Sequence, residues 1–219
     1  MWAAGCANPP RAGAADETFA WQFVRSGSRM NDVQTEWRER FLSSRIKGMP
    51  ILNAKTLEFF SHSPEQTRRA GMRIGAMLQP GDLICLSGDL GAGKTTLVQG
   101  LAQGWGSLDA VSSPTFVLVN VYRRLDGAHL YHLDAYRLRN ADDALDLDLD
   151  TLLETGALVV EWPERIVGAL PQACLWVQMR YLDDEQRGMV FEPRGGRYER
   201  MVMELRRKTY GGLHAARDR

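Results

Sequence analysis

Eight residues between Gly88 and Thr95, Gly-Asp-Leu-Gly-Ala-Gly-Lys-Thr, carry the chemistry most plainly written in this chain. They match GxxxxGKS/T, a loop in which glycines let the backbone wrap a phosphate with its N–H groups turned inward. The pattern predicts phosphate binding by Gly88, Asp89, Leu90, Gly91, Ala92, Gly93 and Lys94, with Thr95 and Thr96 at the start of the next helix. Lys94 is expected to meet β- and γ-phosphates, and the Thr95 hydroxyl to ligate Mg²⁺. The Gly91-x-Gly93 pair is not a dinucleotide fingerprint, because Thr96 stands where the third glycine belongs. Asp89 is unusual beside polyphosphate; it either faces solvent or helps order Mg²⁺ and water.

Such a loop needs a carboxylate near Mg²⁺ and a group that orients the attacking water, both at carboxyl ends of strands. Two positions qualify. His129–Leu133 reads as a strand running into Asp134, and Ala157–Val160 as a more apolar strand running into Glu161. By pattern Glu161 is the better Walker B acid, whereas by residue type Asp134 is the better Mg²⁺ ligand; residues alone leave both open. Ser112-Ser113-Pro114-Thr115-Phe116 reads either as a switch loop whose Thr115 hydroxyl senses the γ-phosphate or as an ordinary loop entering a strand. Pro114 holds Ser113 extended in either case. Asp142, Asp143, Asp146, Asp148 and Asp150 suit a solvated face better than a docking face. The four histidines show no ligand spacing, so no metal is assigned to them.

The elements that must position these groups alternate. Thr56–Phe60 reads as a strand; Ser63, Pro64 and Gln66 form an N-cap, N1 proline and capping-box glutamine for a helix to Leu78. Pro80-Gly81 turns the chain into the strand Asp82–Ser87, and Lys94–Gln103 follows the loop as a helix. Further strands are expected at Phe116–Tyr122, His129–Leu133 and Ala157–Val160, with 141–153 as helix or loop. Cys174–Arg180 and Gly188–Phe191 are expected to pair, and Arg197–Leu205 to close the fold as a helix. Interleaved strands and helices imply an α/β, three-layer α/β/α P-loop NTPase fold whose mixed central sheet is partly antiparallel.

Residues 1–48 show no clean period and are expected to be a poorly ordered extension, with Met49 as an internal translation start. The ATPase domain is expected at 49–206 and a tail at 207–219. Twenty-seven basic residues balance twenty-seven acidic ones, so no overall field draws the chain to nucleic acid or an anionic membrane. No apolar run reaches the roughly 18 to 20 residues that span a bilayer. Cys6, Cys85 and Cys174 lack CxxC spacing, which argues against zinc and a disulfide framework and points to a reducing cytoplasm. Ala4-Gly5-Cys6 has no basic or apolar leader before it, so export is not expected.

Taken in order, GDLGAGKTT at 88–96, SPTFVLVNVY at 113–122, HLDAYRL at 132–138 and VEWPER at 160–165 resemble the TsaE family, over about Thr56–Leu205. The resemblance implies that Lys94, Thr95 and Thr96 bind phosphates and Mg²⁺, that Asp134 is the metal-side acid and that Glu161 acts in hydrolysis. It also implies the switch role for Thr115 and places Trp162 in the same patch. The activity implied is a weak ATPase that resets a TsaB–TsaD threonylcarbamoyl transferase acting on tRNA, with tRNA met only through those partners. A small-molecule kinase has similar needs, with Arg123, Arg124, Arg137 and Arg139 as a lid, but no separate Arg-rich lid segment is present. No N/TKxD motif supports a GTPase.

Overall fold

The computed structural model describes residues 55–111, 118–183 and 185–210. The readings made above for residues 1–48 and for Thr115 lie outside these. Seven strands form one sheet in the order β1-β7-β6-β2-β5-β4-β3. They are β1 (Leu57–Ser61), β2 (Leu83–Ser87), β3 (Val119–Arg123), β4 (His129–Asp134), β5 (Gly156–Glu161), β6 (Cys174–Tyr181) and β7 (Arg187–Arg194). β6, β2, β5 and β4 are parallel neighbours; at one edge β3 pairs antiparallel with β4, and at the other β7 lies antiparallel between β6 and β1. The mixed sheet expected from the close spacing of the late strands is therefore present.

Among the described residues four helices cover the sheet: α1 (Pro64–Gly75), α2 (Lys94–Trp105), α3 (Leu149–Thr155) and α4 (Gly196–Tyr210). One face is thick, where Ile74, Leu97, Leu101, Met201 and Leu205 pack on Ile84, Leu86, Val159 and Phe191. The other is thin, covered by α3 and single 3-10 turns that bring Ala135, Leu138, Ala144 and Ile166 onto Leu158 and Val160. Segment 141–153 resolves into such a turn, Asp142–Leu147, followed by α3, whose first turn is capped by Asp148.

At the start of α1 the Ser63 side chain accepts from the Gln66 N–H, as the capping box requires. Gln66 Oε1 reaches back to the His62 N–H, one residue earlier than the usual N-cap amide. α1 stops at Gly75 rather than Leu78, and α4 continues to Tyr210, whose hydroxyl donates to Glu58 O on β1.

α1 and α2 touch backbone to backbone through four glycines. A Cβ at Gly71 or Gly75 would lie 2.4 or 2.1 Å from the carbonyl oxygens of Leu97 and Leu101. A Cβ at Gly100 or Gly104 would lie 2.1 Å from those of Arg68 and Met72. The i, i+4 spacing puts each pair on one helix face, and the missing side chains set how closely α2 approaches its neighbour.

Candidate phosphate-binding site

β2 delivers the chain into the loop at Ser87, and α2 takes it away at Lys94. Gly88 has φ +136, and a Cβ there would fall 2.1 Å from the Met179 carbonyl oxygen on β6. Only glycine lets the loop leave the strand so close to its neighbour. Gly91 and Gly93 also hold positive φ, and Gly93 begins α2 without a side-chain cap. The first N–H groups of α2 thus have no intrahelical partner and sit at the positive end of the helix dipole.

Lys94 is only 5% exposed, and its Nζ donates to Gly88 O at 2.7 Å and Asp89 O at 2.9 Å. It also lies 4.0 Å from the centre of the Trp162 ring. Burial pushes the Lys94 pKa below its usual value, against the pull of Glu161, Glu164, Asp134 and Asp89. A desolvated cation held by two carbonyl oxygens gains when an anion replaces that partial compensation.

The two strand-end acids are in register, Asp134 opposite Glu161 on the parallel pair β4–β5, with Glu161 also opposite Leu86 of β2. Glu161 is 5% exposed, and its Oε1 accepts from Thr95 Oγ1 at 3.2 Å. The same oxygen lies 3.0 Å from His132 Nε2, and His132 Nδ1 lies 3.3 Å from the Tyr122 hydroxyl. Asp134 is partly exposed; its Oδ1 accepts from the Tyr136 N–H at 3.0 Å and starts a 3-10 turn. That turn brings the Tyr136 ring to 5.1 Å from Trp162, a non-glycine residue at φ +58 immediately after β5.

Lys94, Thr95, Asp134, Tyr136, Glu161 and Trp162 line a cleft of about 330 Å³. Of the residues expected from the sequence, Leu90, Gly91, Gly93, Lys94, Thr95, Thr96, Asp134, Glu161 and Trp162 line it. Ala92 is buried beneath the loop, Gly88 lies against β6, and Asp89 is exposed, presenting its carbonyl rather than its carboxylate to Lys94. The lid reading of the arginines finds no support. Arg123, Arg124 and Arg139 are tied to Asp109, Asp126 and Asp143, and none of the four lines the cleft.

Among residues that the sequence reading had not assigned to the site, Tyr136 and Arg187 line the cleft, as do Pro64, Thr67 and Glu185, while His132 stands behind Glu161. Arg187, at the start of β7, reaches the cleft beside Gly93 and donates to the carbonyls of Asp183 and Gln186. Tyr136 and His132 sit within the HLDAYRL block, which was a signal for both, but nothing in the sequence places Arg187 near the loop. The donor set suits polyphosphate with a hard divalent cation: backbone N–H groups and an ammonium for the anion, hydroxyl and carboxylate oxygens for the cation.

A family model described as threonylcarbamoyl adenosine biosynthesis protein TsaE matches residues 61–189. A tRNA threonylcarbamoyladenosine biosynthesis protein TsaE from Bacillus subtilis is 39% identical over 155 residues, covering 70% of this chain and 96% of the relative. The protein of the same name from Streptomyces coelicolor is 50% identical over 107 residues, 48% of this chain and 72% of its own. The Treponema pallidum protein of that name is 40% identical over 129 residues, 58% and 93% respectively. The crystal structure of Bacillus subtilis YdiB superposes with a TM-score of 0.60 at 33% identity, covering 74% of this chain and 99% of that one.

Proposed function

The chain belongs to the TsaE family of threonylcarbamoyl adenosine biosynthesis proteins, and from that premise we propose that it is a Mg²⁺-dependent ATPase whose hydrolysis resets a TsaB–TsaD threonylcarbamoyl transferase acting on tRNA in the cytoplasm. The observation that carries the reading is the junction of β2, the glycine loop and α2, where buried Lys94 spans the loop and Thr95 meets Glu161. Lys94 and the N–H groups at the start of α2 would bind the β- and γ-phosphates. Thr95, Asp134 and Glu161 supply the hydroxyl and carboxylate oxygens for Mg²⁺. Bound there, Mg²⁺ would neutralise charge developing on the phosphate oxygens.

In this reading Glu161 orients the attacking water, Asp134 is the principal metal-side acid, and Thr115 completes the γ-phosphate contact. Trp162 walls the Lys94 ammonium from solvent. The balanced net charge agrees with tRNA being held by the partners. Among the described residues no helix is long and apolar enough to cross a membrane.

The test is reconstituted tRNA threonylcarbamoylation with TsaB and TsaD, with ATP available to this chain as wild type or as Lys94→Ala. Multiple turnovers should require the wild-type chain. Equal support by Lys94→Ala would refute the ATPase reading.

A further inference from the structure

We propose that His132 is the positioning residue of this site, fixing the Glu161 carboxylate through one ring nitrogen while Tyr122 fixes the ring through the other. The proposal rests on the reading of Glu161 as the group that acts in hydrolysis.

His132 is fully buried on β4, between the edge strand β3 and β5, and a buried imidazole needs partners for both nitrogens. It has them on either side. Nδ1 lies 3.3 Å from the hydroxyl of Tyr122, on the edge strand β3, and Nε2 lies 3.0 Å from Glu161 Oε1, on β5. An ionised carboxylate only accepts, so Nε2 donates in this bond, and in the neutral ring Nδ1 is then the acceptor for the Tyr122 hydroxyl. The result is a chain of bonds from β3 through β4 to β5. It ends at the P-loop, because the same Glu161 oxygen accepts from Thr95 Oγ1.

Two donors on Oε1 fix the carboxylate plane and leave Oε2 as the oxygen with capacity for water. Thr95 alone cannot do this, since its hydroxyl rotates and is also the donor proposed for a cation. The imidazole is a rigid ring held in the sheet by packing. A displacement of the acting oxygen by about 1 Å can lower turnover on the order of 100-fold.

The experiment compares His132→Gln with His132→Asn in the full chain. The glutamine amide nitrogen lies as many bonds from Cβ as Nε2 does, and the asparagine amide nitrogen as many as Nδ1. A merely structural role follows the volume removed and lowers folding stability, read by thermal denaturation, without lowering turnover of the folded protein. MgATP affinity by calorimetry and ATP turnover at saturation are read for both, alone and combined with Glu161→Gln.

His132→Gln should keep turnover within about 5-fold of wild type, while His132→Asn should lose about 10- to 100-fold, both with affinity changed less than about 2-fold. His132→Asn should add nothing to Glu161→Gln. Equal turnover of the two single variants, or an effect that multiplies with Glu161→Gln, overturns the proposal. Wild-type turnover by Glu161→Gln alone overturns the underlying reading of Glu161, and this proposal with it. Should both His132 variants unfold, Tyr122→Phe decides: slowed turnover at unchanged affinity supports the chain of bonds, and unchanged turnover overturns it.

Discussion

Alanine in place of Gly100 tests the close packing of α1 against α2, because in an open helix the same change stabilises. Alanine is favoured over glycine by about 1 kcal/mol in helix interiors. Here the added Cβ would lie 2.1 Å from the Arg68 carbonyl oxygen, with the Arg68 carbonyl carbon and Cα at 2.8 and 2.9 Å. The obstacle is backbone, so no side chain can swing away. The helices must separate by about 1 Å, and overpacking of this kind costs about 1–3 kcal/mol. Cost at the upper end of that range, set against the propensity gain, leaves a net loss of about 1–2 kcal/mol. At about 2–4 °C per kcal/mol for a chain of this size, the melting midpoint should fall by about 2–8 °C. Thermal and urea denaturation of the full chain measure it. An unchanged or raised midpoint would refute the packing argument. Because Lys94 is the first residue of α2, MgATP affinity should fall in step with stability.

Asp134→Asn should weaken Mg²⁺-dependent nucleotide binding, since an amide is a poor ligand for a hard cation, while Glu161→Gln should bind normally and slow turnover by about 10² to 10⁴. Calorimetry with partner-stimulated turnover reads both, and the opposite pattern would exchange their roles. Arg197→Met should cost about 2–3 kcal/mol in urea denaturation, because it leaves buried Asp82 without the guanidinium that pairs it at 2.8 and 3.1 Å; a loss under about 1 kcal/mol would show that the pair is well screened. Burial pushes the Tyr198 pKa up to about 12, above an unfolded value of about 10. The native state then holds its proton more tightly, so stability is full below pH 10 and lost as pH rises toward 12. Tyr198→Phe should be about 1 kcal/mol less stable at pH 8, lacking the bond from the Leu83 N–H, yet decline less than wild type between pH 10 and 12. Parallel decline of the two proteins would contradict the assignment.

The phosphate loop was legible because everything it needs is contiguous: a buried strand, three glycines, a lysine and a helix start. The strand-end acids were legible one at a time. That Asp134 and Glu161 lie side by side follows from the pairing of β4 with β5, which no local signal encodes. His132 was passed over for the same reason, its meaning depending on what stands on the strands to its left and right. The glycines of α1 and α2 were visible as i, i+4 pairs, yet a glycine pair in one helix acquires its purpose only from the backbone of another. Arg187 is further still from its signal, reaching the cleft because β7 folds back beside β6. Helix ends shifted by a few residues where the last turn tightens, as after Gly75, where the Met77 and Leu78 N–H groups donate to Ile74 O and Gly75 O, three residues back instead of four.

The sheet order has a consequence for how the chain is made. β2, which leads into the phosphate loop, is flanked on one side by β6, and β1 waits longer still, Leu57 pairing with Phe191 of β7. Closing a loop that long costs about 2 kcal/mol more in chain entropy than closing one of ten residues. At about 5–20 residues per second on the ribosome, β1 spends on the order of 10 s as an unpaired edge before its partner emerges. Gly88 meets its wall, Met179, only when β6 has joined. A nascent or prematurely ended chain that stops short of β6 therefore carries the whole glycine motif without the surface that shapes it, and the loop takes its form only when synthesis is nearly complete.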